Sequence, residues 1–307
     1  MKIVFIGCVK IGLDCLKQIL KDKSNVVTIF TLAKKYAEKT SGFVDFTSLA
    51  KTNKITLCKT KHINDKKNIS KIKKLAPDLI VICGWQQLVN AEILGIPPKG
   101  VIGFHSSLLP EYRGRAPVNW AIINGEKQTG ITMFYCQPEA DTGDIIAQKS
   151  FPININDNCG SVYNKSAKAA CQLLHKYLPV IKKGKVIRKK NFSKRYRFWP
   201  KRRPEDGRIN WNLSALELHN WIRALTHPYP GAFTYYGGKK YFIWGSRLSR
   251  NRLKCVGKPG EILKIRNKKN NSIELLVKTF DMPIYINNLS SEQRKLPLNF
   301  ERGKCFI

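Results

Sequence analysis

Short, uninterrupted apolar runs alternate with stretches whose apolar residues recur at helical spacing over the first part of the chain. Lys2 to Ile6 reads as a strand, Gly7 to Gly12 as a tight turn, and Gly12 to Leu20 as an amphipathic helix. Strand-like runs follow at Val26 to Leu32, Ile55 to Cys58 and Asp78 to Gly84, separated by helical patterns near Val44 to Thr52 and Lys66 to Lys74. Val101 to Phe104, Ile131 to Cys136 and Ile145 to Phe151 add three more strands. A long helix over Cys159 to Ile181 then carries Val162, Ala167, Ala170, Leu173, Leu174 and Leu178 on its apolar face. This alternation predicts an α/β fold, a Rossmann-like parallel sheet wrapped by right-handed crossovers. A dinucleotide site is not expected, because GCVKIG at Gly7 to Gly12 lacks the middle glycine and no acidic residue is well placed after the next strand.

From Pro204 onward the pattern changes. A helix over Ala215 to Ala224 precedes short strand-like runs near Ala232 to Tyr236, Lys240 to Trp244, Gly260 to Ile265, Ile273 to Val277 and Met282 to Ile286, with Gly, Pro and Asn between them. That spacing predicts a small β-barrel or open sheet. The boundary lies in residues 182–203, KKGKVIRKKNFSKRYRFWPKRR, which contain many Lys and Arg, no acids, and Phe192, Tyr196, Phe198 and Trp199 interleaved. The expected organisation is a catalytic domain at 1–181, a basic linker at 182–203 and a C-terminal β domain at 204–307.

Charge changes the picture less than its size suggests. The formal net charge of +34 is spread over both halves of the chain, which fits a general attraction to anionic substrates, whether tRNA or a nucleotide diphosphate. The basic segment itself reads either as a grip on a phosphodiester backbone with aromatics stacking on bases, or as a solvated linker. No apolar run approaches the ~20 residues of a membrane span, and Met1-Lys2 leads straight into a strand, so a cytoplasmic protein without membrane attachment is expected. The 9 Cys are scattered without a CxxC pair, a pattern of reduced thiols that offers no zinc site.

The chemistry concentrates between Val101 and Asp144. The apolar run Val101 to Phe104 delivers His105 to the C-terminal end of a strand, where open α/β sheets place their ligands. Ser106-Ser107-Leu108-Leu109-Pro110, the turn Arg113-Gly114-Arg115, and a helix starting at Ala116-Pro117 follow. After the run Ile131 to Cys136 comes a loop with Glu139, Asp141 and Asp144, which returns carboxylates to His105 if the two strands are close. A His with a carboxylate partner is the minimum apparatus for general acid/base work near neutral pH. The other reading is a His that satisfies a backbone group and aspartates that cap a turn. Trp85-Gln86-Gln87-Leu88-Val89, again after a strand, is either part of a ligand-enclosing loop or an ordinary helix entry with a buried Trp85.

HSSLLPEYRGRAPVNWAIINGE followed by TGITMFYCQPEADTGDIIAQ resembles the core of the folate-dependent formyltransferases, and KRRPEDGRINW and HPYPGAF continue the similarity more weakly. The resemblance implies a formyltransferase domain followed by an OB-like domain, with 10-formyltetrahydrofolate as co-substrate and no metal. It implies that an acceptor amine attacks the formyl carbon through a tetrahedral intermediate. His105 would relay the proton and Asp141 would orient its ring, with Asp144 the nearby decoy. It further implies folate contacts from the backbone of Gln87, Leu88 and Val89, from Arg115, and from the loop Gln137, Pro138, Glu139, Ala140 and Asp141, with Leu108, Leu109 and Pro110 shaping an apolar wall.

One position departs from the family. Where the motif has Asn-x-His, with the Asn donating to the developing oxyanion, this chain has Gly103. Loss of such a donor typically costs ~3 kcal/mol of transition-state stabilisation, so another group such as Asn119 substitutes, catalysis is slow, or the reaction differs. If the pocket keeps the family geometry, Gly103→Asn is expected to preserve or raise transfer. The acceptor is expected to be a small amine, a nucleotide-linked amino sugar. RGRAPVNWAIINGE and HPYPGAF resemble the enzymes that formylate those, and the PDRxxGRG-like pattern usual in methionyl-tRNA formyltransferases is absent from Leu32 to Gly42. Methionyl-tRNA is the runner-up, and a formyltetrahydrofolate hydrolase or folate-binding protein is the third reading, motivated by Gly103.

Overall fold

Ile3, Val4, Phe5 and Ile6 are all fully buried, which requires a strand covered on both faces. Lys2–Ile6 (β1) is accordingly an interior strand of the first sheet. The computed structural model describes residues 1–192, 198–249, 256–267, 272–292 and 299–307; Tyr196 of the basic segment and Cys255 lie outside the described residues.

After β1 the chain forms α1 (Lys10–Lys21), β2 (Asn25–Leu32), α2 (Thr47–Thr52), β3 (Thr56–Thr60), α3 (Lys66–Leu75), β4 (Leu79–Ile82) and α4 (Ala91–Leu94). Next come β5 (Val101–His105), the two-residue β6 (Arg113–Gly114), α5 (Pro117–Ile123), β7 (Gln128–Tyr135), β8 (Ile145–Pro152) and α6 (Cys159–Lys182). The rest is β9 (Phe198–Trp199), α7 (Ala215–Leu225), β10 (Ala232–Tyr236), β11 (Lys239–Leu248), β12 (Ile262–Asn267), β13 (Ile273–Val277) and β14 (Ile284–Ser291).

The first sheet has the order β3-β2-β1-β4-β5-β7-β8. Its first five strands are parallel, whereas β7 is antiparallel to β5 and β8 is antiparallel to β7. The Rossmann-like parallel sheet expected from the alternation of elements is present in these five strands, and β7 and β8 extend it with an antiparallel edge. Thr132 of β7 pairs with His105, the last residue of β5, and β7 returns to β8 as a hairpin, so neither step is the crossover a parallel pair needs. Alternate residues of each strand feed two cores. Ile3, Phe5, Val81 and Ile102 join Leu16 and Ile19 of α1 and Leu173 and Leu174 of α6, while Val4, Ile6, Ile80 and Val101 join Ile69 and Ile72 of α3 and Ile93 of α4.

The glycines at 7 and 12 serve packing. A Cβ at Gly7 would lie 2.4 Å from Cys83 O, and one at Gly12 only 2.3 Å from it. The turn after β1 therefore presses against the end of β4, which accounts for a glycine pair without a dinucleotide fingerprint.

The chain makes two compact units. One contains Met1–Pro117, Gln128–Pro152 and Val162–Pro200; the other contains Val118–Lys127, Ile153–Ser161 and Lys201–Ile307. The second unit is built on an antiparallel sheet of order β10-β11-β14-β13-β12. Its edges are joined through the tail: Tyr235 and Ile307 exchange both backbone hydrogen bonds (3.0 and 2.9 Å), and Ile262 N donates to Lys304 O (2.9 Å) beside the Glu261–Cys305 bridge. Closure of this kind removes exposed strand edges. α7 starts from a capping box in which Ser214 Oγ accepts from Glu217 N and Glu217 Oε2 accepts from Ser214 N (2.9 Å). No helix among the described residues is long and apolar enough to cross a membrane.

His219 on α7 gives the second unit a pH dependence. The ring is buried between Ser246 Oγ (2.9 Å from Nδ1) and Ile155 O (3.2 Å from Nε2), and burial holds it below the usual histidine range. Folded His219 is neutral where the unfolded chain already takes a proton, at about pH 6.5. Stability is therefore full above that pH and declines as the pH falls below it. The depressed carboxylates Glu217 and Asp281 act only at lower pH. Melting temperatures between pH 7.5 and 5.5 are expected to fall less in His219→Gln than in the wild type; equal slopes would exclude His219 as the source.

Candidate active site

β5 delivers His105 at its C-terminal end with the ring 8% exposed. Nε2 lies 2.7 Å from Tyr112 O, and Nδ1 lies 3.4 Å from Asp141 Oδ1. The other carboxylate oxygen, Oδ2, accepts from Gly114 N at 3.0 Å. Both ring nitrogens thus face oxygen acceptors, and a neutral imidazole, with one N–H, satisfies only one of them at a time. The 3.4 Å contact is of the loose kind that tightens when substrate binds. Asp144 is engaged elsewhere: its Oδ2 is 3.3 Å from Lys190 Nζ and its backbone oxygen accepts from Tyr135 N. Geometry selects Asp141 as the carboxylate beside His105.

Strand register alone does not bring Asp141 there. His105 is opposite Thr132 and Ile102 is opposite Tyr135, and Cys136 N donates to Val101 O at 2.8 Å. The chain therefore leaves β7 level with the start of β5, about 10 Å along the strand from His105 at ~3.3 Å per residue. The loop 136–144 must fold back to close that gap. Asp141 adopts φ +57°, a left-handed conformation that costs a non-glycine residue roughly 1–2 kcal/mol. A Cβ at Gly143 would lie 1.6 Å from Tyr135 O, so only glycine lets the returning chain cross there. Gln137, Pro138 and Glu139 are exposed on this loop, Ala140 is half-buried, and Thr142 Oγ1 ties the turn by donating to Glu139 O (3.0 Å).

The segment after His105 is pinned by a hydroxyl. Thr132 Oγ1 donates to Ser107 O (2.7 Å) and accepts from Leu109 N (3.0 Å) and Gln148 Nε2 (2.9 Å), while Gln148 Nε2 also reaches Leu109 O (2.7 Å). Leu109 is buried against Phe134 and Ile145. Leu108 and Pro110 are half-buried, and Leu108 Cδ2 fills the space above Gly130. Thr132 and Gln148 are invisible to motif reasoning, since each looks like an ordinary strand residue.

Gly103 has no room for a side chain. A Cβ there would lie 2.7 Å from Cys136 Sγ and 3.3 Å from the Phe134 ring. The Cys136 thiol is pushed up to about 12 by burial and by Asp141, so it stays protonated. The expectation that Gly103→Asn preserves or raises transfer holds if the pocket keeps the family geometry, and this packing leaves no space for the amide at position 103. Asn119 donates its Nδ2 to Ala224 O at 2.6 Å within the second unit, and that proton is not free for an oxyanion.

The loop after β4 is anchored by its own polar groups. Gln87 Oε1 accepts from Ile63 N (3.1 Å) and its Nε2 donates to Lys61 O (2.6 Å), while Leu88 O accepts from Asn64 Nδ2 (2.9 Å). Val89 is buried, but the Leu88 side chain is 56% exposed. Trp85 Nε1 is buried and has no hydrogen-bond partner among the described residues. Arg115 is exposed and donates from Nη1 to Gln86 O at 2.8 Å, which joins the Arg-Gly-Arg turn to this loop.

The basic segment also reaches the site. Ile145 and Lys189 exchange two backbone hydrogen bonds (2.7 and 2.9 Å), Arg188 lies over the Tyr135 ring (4.1 Å), and Asn191 is buried. Farther on, β9 pairs in parallel with β6, Trp199 stacks on Tyr112 (5.3 Å, 9°), and Arg115 N donates to Trp199 O (2.9 Å).

Comparison with known proteins agrees with this architecture. Residues 1–178 match the family model described as formyl transferase, and residues 201–299 match the formyl transferase C-terminal domain. The bifunctional polymyxin resistance protein ArnA of Wigglesworthia glossinidia brevipalpis is 36% identical over 280 residues, covering 90% of this chain. This chain spans 42% of that relative's length. HypX from Aquifex aeolicus, solved with tetrahydrofolic acid, superposes with a TM-score of 0.69 at 19% identity over 95% of this chain and 44% of its own. An N-formyltransferase from Helicobacter canadensis, solved with folinic acid and dTDP-3-aminofucose, gives 0.66 at 21% identity over 94% of this chain and 99% of its own.

Proposed function

Because this chain belongs to the formyl transferase family, we propose that it moves the formyl group of 10-formyltetrahydrofolate to the primary amine of a nucleotide-linked amino sugar. The observation that carries the transfer is the pair formed by the buried His105 and the half-buried Asp141 at the end of β5. The co-substrate supplies the one-carbon unit as an activated N-formyl group. The exposed Leu88 side chain offers apolar surface to a flat heteroaromatic ring.

The chain's own part is proton handling. Tyr112 O and Asp141 Oδ1 face opposite nitrogens of the imidazole. The ring can exchange its proton at one nitrogen while the other keeps it from turning. Gly114 N keeps Asp141 from turning in the same way. For the acceptor, support comes from the Helicobacter protein solved with dTDP-3-aminofucose, a nucleotide-linked amino sugar; the net charge of +34 suits any anionic acceptor, tRNA included.

Incubation with 10-formyltetrahydrofolate and, in parallel, nucleotide-linked amino sugars, methionyl-tRNA or no acceptor tests the reading. Formylated sugar is the expected product. Product with methionyl-tRNA alone would transfer the function to tRNA, and formate released without an acceptor would make the protein a hydrolase, the third reading, which Gly103 motivates.

A further inference from the structure

Resting on that reading, we infer that Asn191 is the positioning residue for Asp141, reaching the catalytic pair from a segment whose composition suggests a solvated linker or a grip on a phosphodiester backbone. The argument starts from the backbone. The loop between β7 and β8 begins level with Ile102 and must fold back to place Asp141 at His105, and Asp141 takes a left-handed conformation to do so. Such a conformation persists only where the surroundings over-determine it. Gly114 N fixes the carboxylate, but the backbone on either side of it needs a separate hold.

Asn191 supplies that hold. Its Nδ2 donates to Asp141 O at 2.8 Å and to Gly143 O at 3.1 Å, so both amide hydrogens are spent on the fold-back. Its side chain is itself held in place, because Arg113 Nη2 donates to Asn191 O (2.6 Å) and Oδ1 (3.0 Å). Asn191 and Arg113 are 7% and 5% exposed, and in that environment hydrogen bonds of fixed direction set position with little slack. The neighbours share the task. Lys189 is bridged to Ile145, and Lys190 Nζ lies 3.3 Å from Asp144 Oδ2.

The test compares kcat and KM of Asn191→Ala, Asp141→Asn and the double variant, using 10-formyltetrahydrofolate and whichever acceptor of the panel the wild type formylates. Asn191→Ala is expected to lower kcat by about tenfold or more, within the ~100-fold that a 1 Å misplacement costs, with KM changed less than ~2-fold. In the Asp141→Asn background it is expected to add almost nothing, because groups acting through one another are non-additive. With 5 His in the chain, ring signals of ¹⁵N-histidine-labelled protein give a readout independent of the acceptor. Asn191→Ala should move the His105 signals as Asp141→Asn does. Equal losses in both backgrounds, or unmoved His105 signals, would overturn the inference and leave Asn191 a fold residue. Asn191→Ser, which keeps one hydroxyl donor, is read in the same cycle if the alanine variant does not fold. Wild-type turnover in both Asp141→Asn and His105→Ala would instead remove the catalytic pair itself, and this inference with it.

Discussion

Replacing His105 with alanine is expected to lower turnover in formyl transfer by about 100-fold or more, the usual scale for a positioned general acid or base, while binding of 5-formyltetrahydrofolate stays close to wild type. The ring contacts Tyr112 O and Asp141 but packs no large part of the core, so its removal leaves the sheet intact. The loop that follows is held independently by Thr132 and Gln148. A selective loss in kcat is therefore the signature of proton transfer, whereas parallel losses in folate binding and melting temperature would indicate that His105 only shapes the loop. Asp141→Asn separates the partners' roles. It keeps an acceptor oxygen for the ring or for Gly114 N but removes the charge, and a loss smaller than that of His105→Ala is expected. Wild-type turnover in His105→Ala would end the proposed mechanism.

Local features of the chain were the legible ones. β1, β10 and β13 begin and end where the apolar runs do, because a strand buried on one or both faces is written as consecutive or alternating apolar residues. His105 was legible because a polar, titratable residue ends an otherwise apolar strand. The reversed direction of β7 and β8 was not, since residue pattern reports burial and period but not strand polarity. Nor was the choice of Asp141 over Asp144 a matter of pattern; the resemblance favoured it, and the fold sets Asp141 Oδ1 3.4 Å from His105 Nδ1 while Asp144 Oδ2 lies beside Lys190. Asn191 itself lies among lysines, and only its contacts distinguish it. The vacancy at Gly103 invited an inserted amide, because a sequence shows a missing side chain without showing what fills its place.

That place is filled by Cys136, and the consequence can be measured. Gly103→Asn alone is expected to reduce stability by about 1–3 kcal/mol, the usual cost of overpacking, and to depress transfer with it. The first atom of the new side chain would meet Cys136 Sγ at 2.7 Å and the Phe134 ring at 3.3 Å. Rotation of the thiol offers little relief, since Cys136 is packed against the Leu109–Phe134–Ile145 cluster on one side and the α3 core on the other. Cys136→Ala removes the colliding atom, so Gly103→Asn combined with Cys136→Ala is expected to regain most of the lost stability. The pair then separates two explanations of how the reaction proceeds without the amide. Transfer above the wild-type level would mean that position 103 still looks onto the developing charge and that the wild type works without a donor worth up to ~3 kcal/mol. Restored stability with transfer no better than wild type would mean that another group already supplies it. Gly103→Asn with wild-type melting and turnover would show that the thiol does not occupy this space in solution.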